Sequence, residues 1–314
     1  MRFFQTILLL STLILTGCKE DFNPITDLVS LEQYYPNNQE AVPPNKDYSE
    51  VYVINSKHSL AGRENSLIHK ASVWGYMTNS ARERVDTDSL VINGLSIPHV
   101  RNLEEEVQRD LFHEGYSHHR EWSDDFEQLL ELYRGQPVEI AVAAPELGHL
   151  REQIYSPSLT GVSLGENEFA GPRRNSIIYG KEGIKITWDA PQPQEKALFP
   201  PDEIMQVGIL LQYDAVRTAS RYPGSSLPTE NKTWSVITPN DGEYTIDFSE
   251  IEDFPSGGLH VLTIANGMTF TFEFDGSNNS IRVHNGNIVR TEFTLVGCPH
   301  DPDARVCDCA TVGC

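Results

Sequence analysis

Short runs in which apolar and polar residues alternate, bounded by Pro, Gly, Ser or Asn, recur along most of this chain, and a period of two restricts it to β architecture. The clearest run holds Phe270, Phe272 and Phe274 on one side and Thr269, Thr271 and Glu273 on the other. Asn266-Gly267 lies between Leu259 to Ala265 and Met268 to Phe274. Because Asn-Gly suits a two-residue type I′ turn, the sequence predicts a hairpin there. The same argument predicts a turn at Asn285-Gly286, between Ile281 to His284 and Ile288 to Val296, and another at Asn93-Gly94 after Ser89 to Ile92. Further strands are expected at Val51 to Ile54, Leu67 to Met77, Pro137 to Ala143, Ile184 to Trp188, Gln206 to Tyr213, Trp234 to Ile237 and Tyr244 to Phe248. No helical period separates the strands of the second half, which excludes parallel βαβ winding.

One stretch has a helical pattern. Asn102 with Glu105 forms a capping box ahead of Leu103, Val107 and Leu111, and Gly115 interrupts the stripe. Asp124 with Glu127 starts a second, with Phe126, Leu129, Leu130 and Tyr133 on one side and Gly135 and Pro137 at its end. The 314 residues suit two domains of roughly 100 to 200 residues. The expected fold is mainly β: a first β-sandwich over 48–156 with a helical segment at 102–134, and a second over 157–297, of immunoglobulin-like or fibronectin-like kind. Their border is expected near Pro157, and residues 18–47, with Pro24, Pro36, Pro43 and Pro44, are expected to be a tether.

With 24 Lys+Arg against 45 Asp+Glu, the net charge is -21, which repels phosphate backbones and excludes a nucleic-acid partner. The beginning of the chain points elsewhere. Arg2 precedes an apolar run from Phe3 to Leu15, shorter than the ~20 residues a spanning helix needs, and residues 1–17 are expected to be a signal peptide. Leu15-Thr16-Gly17-Cys18 resembles the lipobox of bacterial lipoproteins, which implies diacylglyceryl transfer to Cys18, cleavage before it and acylation of the new amino terminus. Lys19-Glu20-Asp21 is similar to the export signal of Bacteroidota surface lipoproteins, which implies display at the cell surface on a lipid anchor in the outer membrane.

Cys298, Cys307, Cys309 and Cys314 crowd the last seventeen residues, 298–314. In an oxidising compartment they are expected to form two disulfides, with three possible connectivities; the alternative is a zinc site with His300, although the paired Cys-x2-Cys spacing of structural zinc is missing. His113, His118 and His119, with His99, Asp124 and Asp125 nearby, are weak metal candidates. The second His comes one residue too late for His-Glu-x-x-His, so that His113 and His118 are about 140° apart on an ideal helix. Asp275-Gly276-Ser277-Asn278-Asn279 lacks the order of an EF-hand loop and reads as a turn. Trp74 and Trp188 sit among apolar neighbours and read as core, while Trp122 and Trp234 are weak candidates for stacking on a sugar. Asp88-Ser89-Leu90 is similar to the O-glycosylation motif of Bacteroidota proteins, which implicates Ser89.

No nucleophile elbow or phosphate-binding loop is present, so no catalytic residue and no cofactor are expected. The expected function is that of a non-catalytic, surface-anchored lipoprotein, a binding or accessory subunit of an outer-membrane assembly with a protein or glycan partner. Its alternatives are a metal-dependent hydrolase using residues 99–125 and a glycan-binding module.

Overall fold

The structure is a computed structural model, and it describes residues 48–60, 63–81, 85, 87–97, 99–101, 114–121, 137–155, 157–164, 169–170, 176–178, 183–198 and 205–296. It is mainly β. In chain order the strands are β1 (Ser49–Leu60), β2 (Arg63–Tyr76), β3 (Ser89–Ile92), β4 (Leu95–Ile97), β5 (His99–Arg101), β6 (Glu114–Glu121), β7 (Val138–Ala144), β8 (Gly148–Ile154), β9 (Phe169–Ala170), β10 (Ser176–Ile178), β11 (Ile184–Thr187), β12 (Gln206–Tyr213), β13 (Lys232–Pro239), β14 (Glu243–Ile246), β15 (His260–Glu273) and β16 (Ser280–Val296). Two short helices, α1 (Pro193–Lys196) and α2 (Ala215–Arg221), flank β12.

One ten-stranded sheet runs β13-β12-β15-β16-β1-β2-β6-β5, with β10 beside β16 and β9 beside β10. A four-stranded sheet, β4-β3-β7-β8, and the pair β11-β14 complete the described strands. The long sheet is mixed, because β1 and β10 lie parallel to β16 while β15 is antiparallel to it. The expected border near Pro157 falls between β8 and β9 in sequence, but it does not separate the sheets. β1 and β2, from 48–156, lie beside β12, β15 and β16, from 157–297.

Two predicted turns are corrected. β15 and β16 are continuous and pair from His260↔Phe293 to Glu273↔Ser280, so Asn266-Gly267 and Asn285-Gly286 lie in mid-strand, with Gly267 opposite Gly286. A type I′ turn needs φ > 0 at both central residues. Asn93 (φ 47) and Gly94 (φ 81) meet that requirement and join β3 to β4 as predicted, whereas Gly267 and Gly286 do not adopt left-handed φ. Ladder pairing over fourteen residue pairs overrides the local turn preference. Within the expected helical segment 102–134, residues 114–121 are strand β6, and the rest lies outside the described residues. The second half also contains a helix that the sequence pattern did not reveal: Asp214 caps α2 by accepting from the Arg217 N–H at 2.8 Å.

Side-chain alternation puts two apolar cores on the same face of the long sheet. Val51, Val53, Phe272, Phe274, Ile281 and Val283 pack against Leu90, Ile92, Ile140 and Val142 of the four-stranded sheet. Further along that face, Ile209, Leu211, Leu262, Ile264, Val289 and Phe293 pack against Ile184, Ile186, Trp188 and Ile246. β7 shows why such strands form, since its burial alternates with the strand period: Val138, Ile140, Val142 and Ala144 are buried, and the residues between are half-exposed.

Candidate functional site

Between the two cores the same face turns polar. Asn55, Asn287 and Asn266 sit side by side on β1, β16 and β15. Asn55 Nδ2 donates to Asn287 Oδ1 at 3.1 Å, and Asn287 Nδ2 donates to Asn266 Oδ1 at 3.0 Å and to the Pro157 carbonyl at 2.8 Å. Asn266 Nδ2 donates to the Ser158 carbonyl at 3.0 Å, and the Ser158 N–H donates to Glu195 Oε1 at 3.1 Å. The other Glu195 oxygen accepts from the Gln192 N–H at 2.8 Å, at the start of α1. The chain therefore crosses from one core to the next under a clamp of buried side chains. Asn285 is next to this row and fully buried, and among the described residues none hydrogen-bonds to either of its amide atoms.

Asn287 is the hub of that clamp. Replacing Asn287 with Ala leaves a donor and two acceptors unpaired in the interior, at about 1–3 kcal/mol each if nothing relaxes. The expected loss is about 3 kcal/mol or more in urea-induced unfolding, and a variant within about 0.5 kcal/mol of the parent would show that the clamp is not needed.

The opposite face carries a second buried polar group. The Tyr52 ring stacks on His284 with centroids 4.5 Å apart, and Thr269 Oγ1 lies 2.8 Å from His284 Nδ1. His284 Nε2 is 3.7 Å from Glu50 Oε1, beyond hydrogen-bond range. A hydroxyl, an imidazole and a carboxylate in this order occur in hydrolases that activate a nucleophile. Here Thr269 is 5% exposed and His284 7% exposed, so the set ties β1, β15 and β16 together rather than facing solvent. Nearer the end of β16, buried Glu292 pairs with Arg217 and, at 3.6 Å, with Arg221, which docks α2 on the sheet.

Among the predicted site residues, Trp234 lies on β13, half-buried against the second core with its ring centroid 6.1 Å from Tyr244. Ser89 opens β3 opposite Ala143, between exposed Asp88 and fully buried Leu90. His118 and His119 are consecutive positions of β6, in register with Val73 and Ser72, so the helical spacing does not apply to them. Cys18, Lys19, Glu20, Asp21, His113, Trp122, Cys298, Cys307, Cys309 and Cys314 lie outside the described residues. At the loop 275–279 the Ser277 N–H donates to the Phe274 carbonyl at 3.2 Å, the bonding of a turn, while Asn279 Oδ1 accepts from the Ser80 N–H at 3.0 Å and Ser277 Oγ donates to the Leu147 carbonyl at 2.8 Å, which tie the loop to its neighbours. Trp188, read as core, is buried, and its indole N–H donates to Asn240 Oδ1 at 2.7 Å. Among the described residues, no three His, Cys, Asp or Glu side chains gather as a metal site, and no helix is long and apolar enough to cross a membrane.

Sequence reasoning missed Asn266 and Asn287 because Asn266-Gly267, and Asn285-Gly286 directly before Asn287, were assigned to turns, and it missed Asn55 because nothing beside it in the chain marks it. The available signal was the alternation, which runs without a break in phase from Leu262 through Asn266 to Phe274.

No protein-family model and no curated protein matches this chain. Among solved structures, a Ca2+-stabilised adhesin with which an Antarctic bacterium reaches out and binds ice aligns at a TM-score of 0.17 and 10% identity, over 80% of this chain and 50% of that one. The alignment thus spans half of that adhesin chain, and at this TM-score it does not establish a shared fold.

Proposed function

We propose that this chain is a non-catalytic surface lipoprotein, anchored to the outer membrane through acyl groups on Cys18 and serving as a binding or accessory subunit of an outer-membrane assembly. The observation that carries this reading is the run Leu15-Thr16-Gly17-Cys18-Lys19-Glu20-Asp21, in which a lipobox-like cysteine is followed directly by a Lys and two acids. Two features of the fold support it. Small sheets packed on one face of a long sheet make a frame of β-sandwich kind, immunoglobulin-like or fibronectin-like in this reading, which holds loops and strand edges rigid for recognition. The buried side chains of Asn55, Asn287 and Asn266, and those of Thr269 and His284, bond to one another across strands, as befits a frame.

Replacing Lys19, Glu20 and Asp21 together with Ala is expected to leave acylation of Cys18 intact and to protect the protein from protease added to whole cells. Cys18→Ala is expected to move the chain out of the membrane fraction. Unchanged cleavage of the triple variant on intact cells would refute surface export by this motif, and membrane retention of Cys18→Ala would refute the lipid anchor.

A further inference from the structure

Among the described residues, β13 is an outer strand of the long sheet. Its register with β12 runs from Tyr213↔Lys232 to Gln206↔Pro239, and the Asn240 N–H donates to the Met205 carbonyl at 2.8 Å, one pair further on. That bond fixes the phase, because antiparallel partners alternate between hydrogen-bonded and non-hydrogen-bonded pairs. Lys232, Trp234, Val236 and Thr238 turn their backbone N–H and C=O groups toward β12, while Thr233, Ser235 and Ile237 turn theirs outward. Pro239 shares the outward phase, where a missing N–H costs no ladder bond. Among the described residues, none bonds to these outward groups. Thr233, Ser235 and Ile237 are exposed, Ile237 by 39%.

Soluble proteins usually blunt such an edge with charges, a bulge or brevity. β13 has eight residues, a register without a bulge, and no charge from Thr233 to Thr238 in a chain of net charge -21. Acids flank it: Glu230 is exposed before the strand and Asp241 after it.

We propose that β13 is a docking strand that takes an extended segment of a partner polypeptide by β-augmentation, the segment being uncharged at its centre and bearing Lys or Arg at both ends. This rests on the reading of the chain as a binding subunit and assigns the partner's chemistry. Outward donors at Thr233, Ser235 and Ile237 supply backbone pairing, and Glu230 and Asp241 complement basic ends. A second copy fits worse. Antiparallel self-pairing about Ser235 brings Glu230 of one copy to within a residue of Asp241 of the other, so like charges meet at both ends.

The test measures binding of a fluorescent probe peptide, with an alternating Thr-Val centre and paired Lys at each end, to the full mature chain. Saturable binding is expected for the parent and for Ser235→Ala. Ser235→Pro, which removes an outward N–H and no bond to β12, is expected to bind at least about tenfold more weakly. Thr233→Pro gives the same comparison at the next outward position should Ser235→Pro lose its thermal unfolding transition. A probe with Glu in place of Lys should bind more weakly than the Lys probe. Absence of saturable binding, or equal affinity of the proline variants, would overturn the proposal. A concentration-dependent dimer that these variants abolish, without probe binding, would replace it with self-association. Protease accessibility on whole cells is blind to β13, and probe binding is blind to the anchor, so each reading can fail alone.

Discussion

A chain beginning at residue 158 is expected not to reach the native fold of residues 158–296. The deletion removes β1, which lies along β16 at twelve register positions, from Ser49↔Ile281 to Leu60↔Glu292. It also uncovers Phe272, Phe274, Ile281 and Val283, all buried in the first core against residues that come before 158. Burying such a side chain is worth about 1.5–3 kcal/mol, so the four together approach the whole stability of a typical domain, roughly 5–15 kcal/mol. Asn287 loses its Asn55 and Pro157 partners as well. The second core remains complete, since its residues run from Leu159 to Leu295. The expected product is therefore partly ordered: it keeps β-sheet circular dichroism, binds a hydrophobic dye and self-associates along the bared edge of β16. A monomer with one cooperative urea transition and no dye binding would show that the second core suffices alone and that the shared sheet is a docking surface between independent domains.

The contrast between strands and pairings shows what the sequence could convey. β12 was readable because Val207 to Leu211 is a run without a polar side chain, bounded by Gln206 and Gln212 and closed by Asp214 after Tyr213, and a buried strand needs no more signal than that. The parallel neighbourhood of β1 and β16 joins Val51 to Val283, and the choice of partner is made by burial of both faces over a long sheet rather than by any local pattern. Asn-Gly was informative where the chain is free to turn, at Asn93-Gly94. It misled at Asn266-Gly267 and Asn285-Gly286, where both Asn side chains are buried, the Asn266 amide is bonded to Asn287 and Ser158, and the glycines face each other across the ladder. Of the candidate site, Trp234 could be read as an aromatic on a strand, but the significance of its strand as an outer edge depends on the order of the sheet. The polar row of Asn55, Asn266 and Asn287 is likewise assembled from distant segments and has no footprint in any single one.

Acidification is expected to expose the cost of another side chain that only the fold reveals. His260, at the start of β15, is fully buried among the rings of Tyr213, Phe254 and Phe293, with centroids 5.4, 6.2 and 5.8 Å away. Burial disfavours its charged form and lowers its pKa from 6.5 to about 3, an effect that backbone groups of Gly258 and Pro255 oppose without reversing. The unfolded chain binds this proton near pH 6.5 and the folded chain only near pH 3. Across that window the unfolded state holds more protons, so the stabilisation is complete above pH 6.5 and is lost as pH falls toward 3. Between pH 7 and pH 4 the loss from this one group amounts to about 3 kcal/mol at 1.36 kcal/mol per pKa unit. His260→Phe removes the titration and keeps an aromatic ring in the cluster, at the expense of the contact from the Leu295 N–H to Nδ1 at 3.4 Å, worth about 1 kcal/mol. The variant should therefore be slightly less stable than the parent at pH 7 and more stable at pH 4 in urea-induced unfolding. The carboxylates common to both chains titrate over the same range and cancel in the difference. Parallel stability curves for the two proteins from pH 7 to pH 4 would show that His260 is protonated in the folded state, and the neutral, buried assignment would fall.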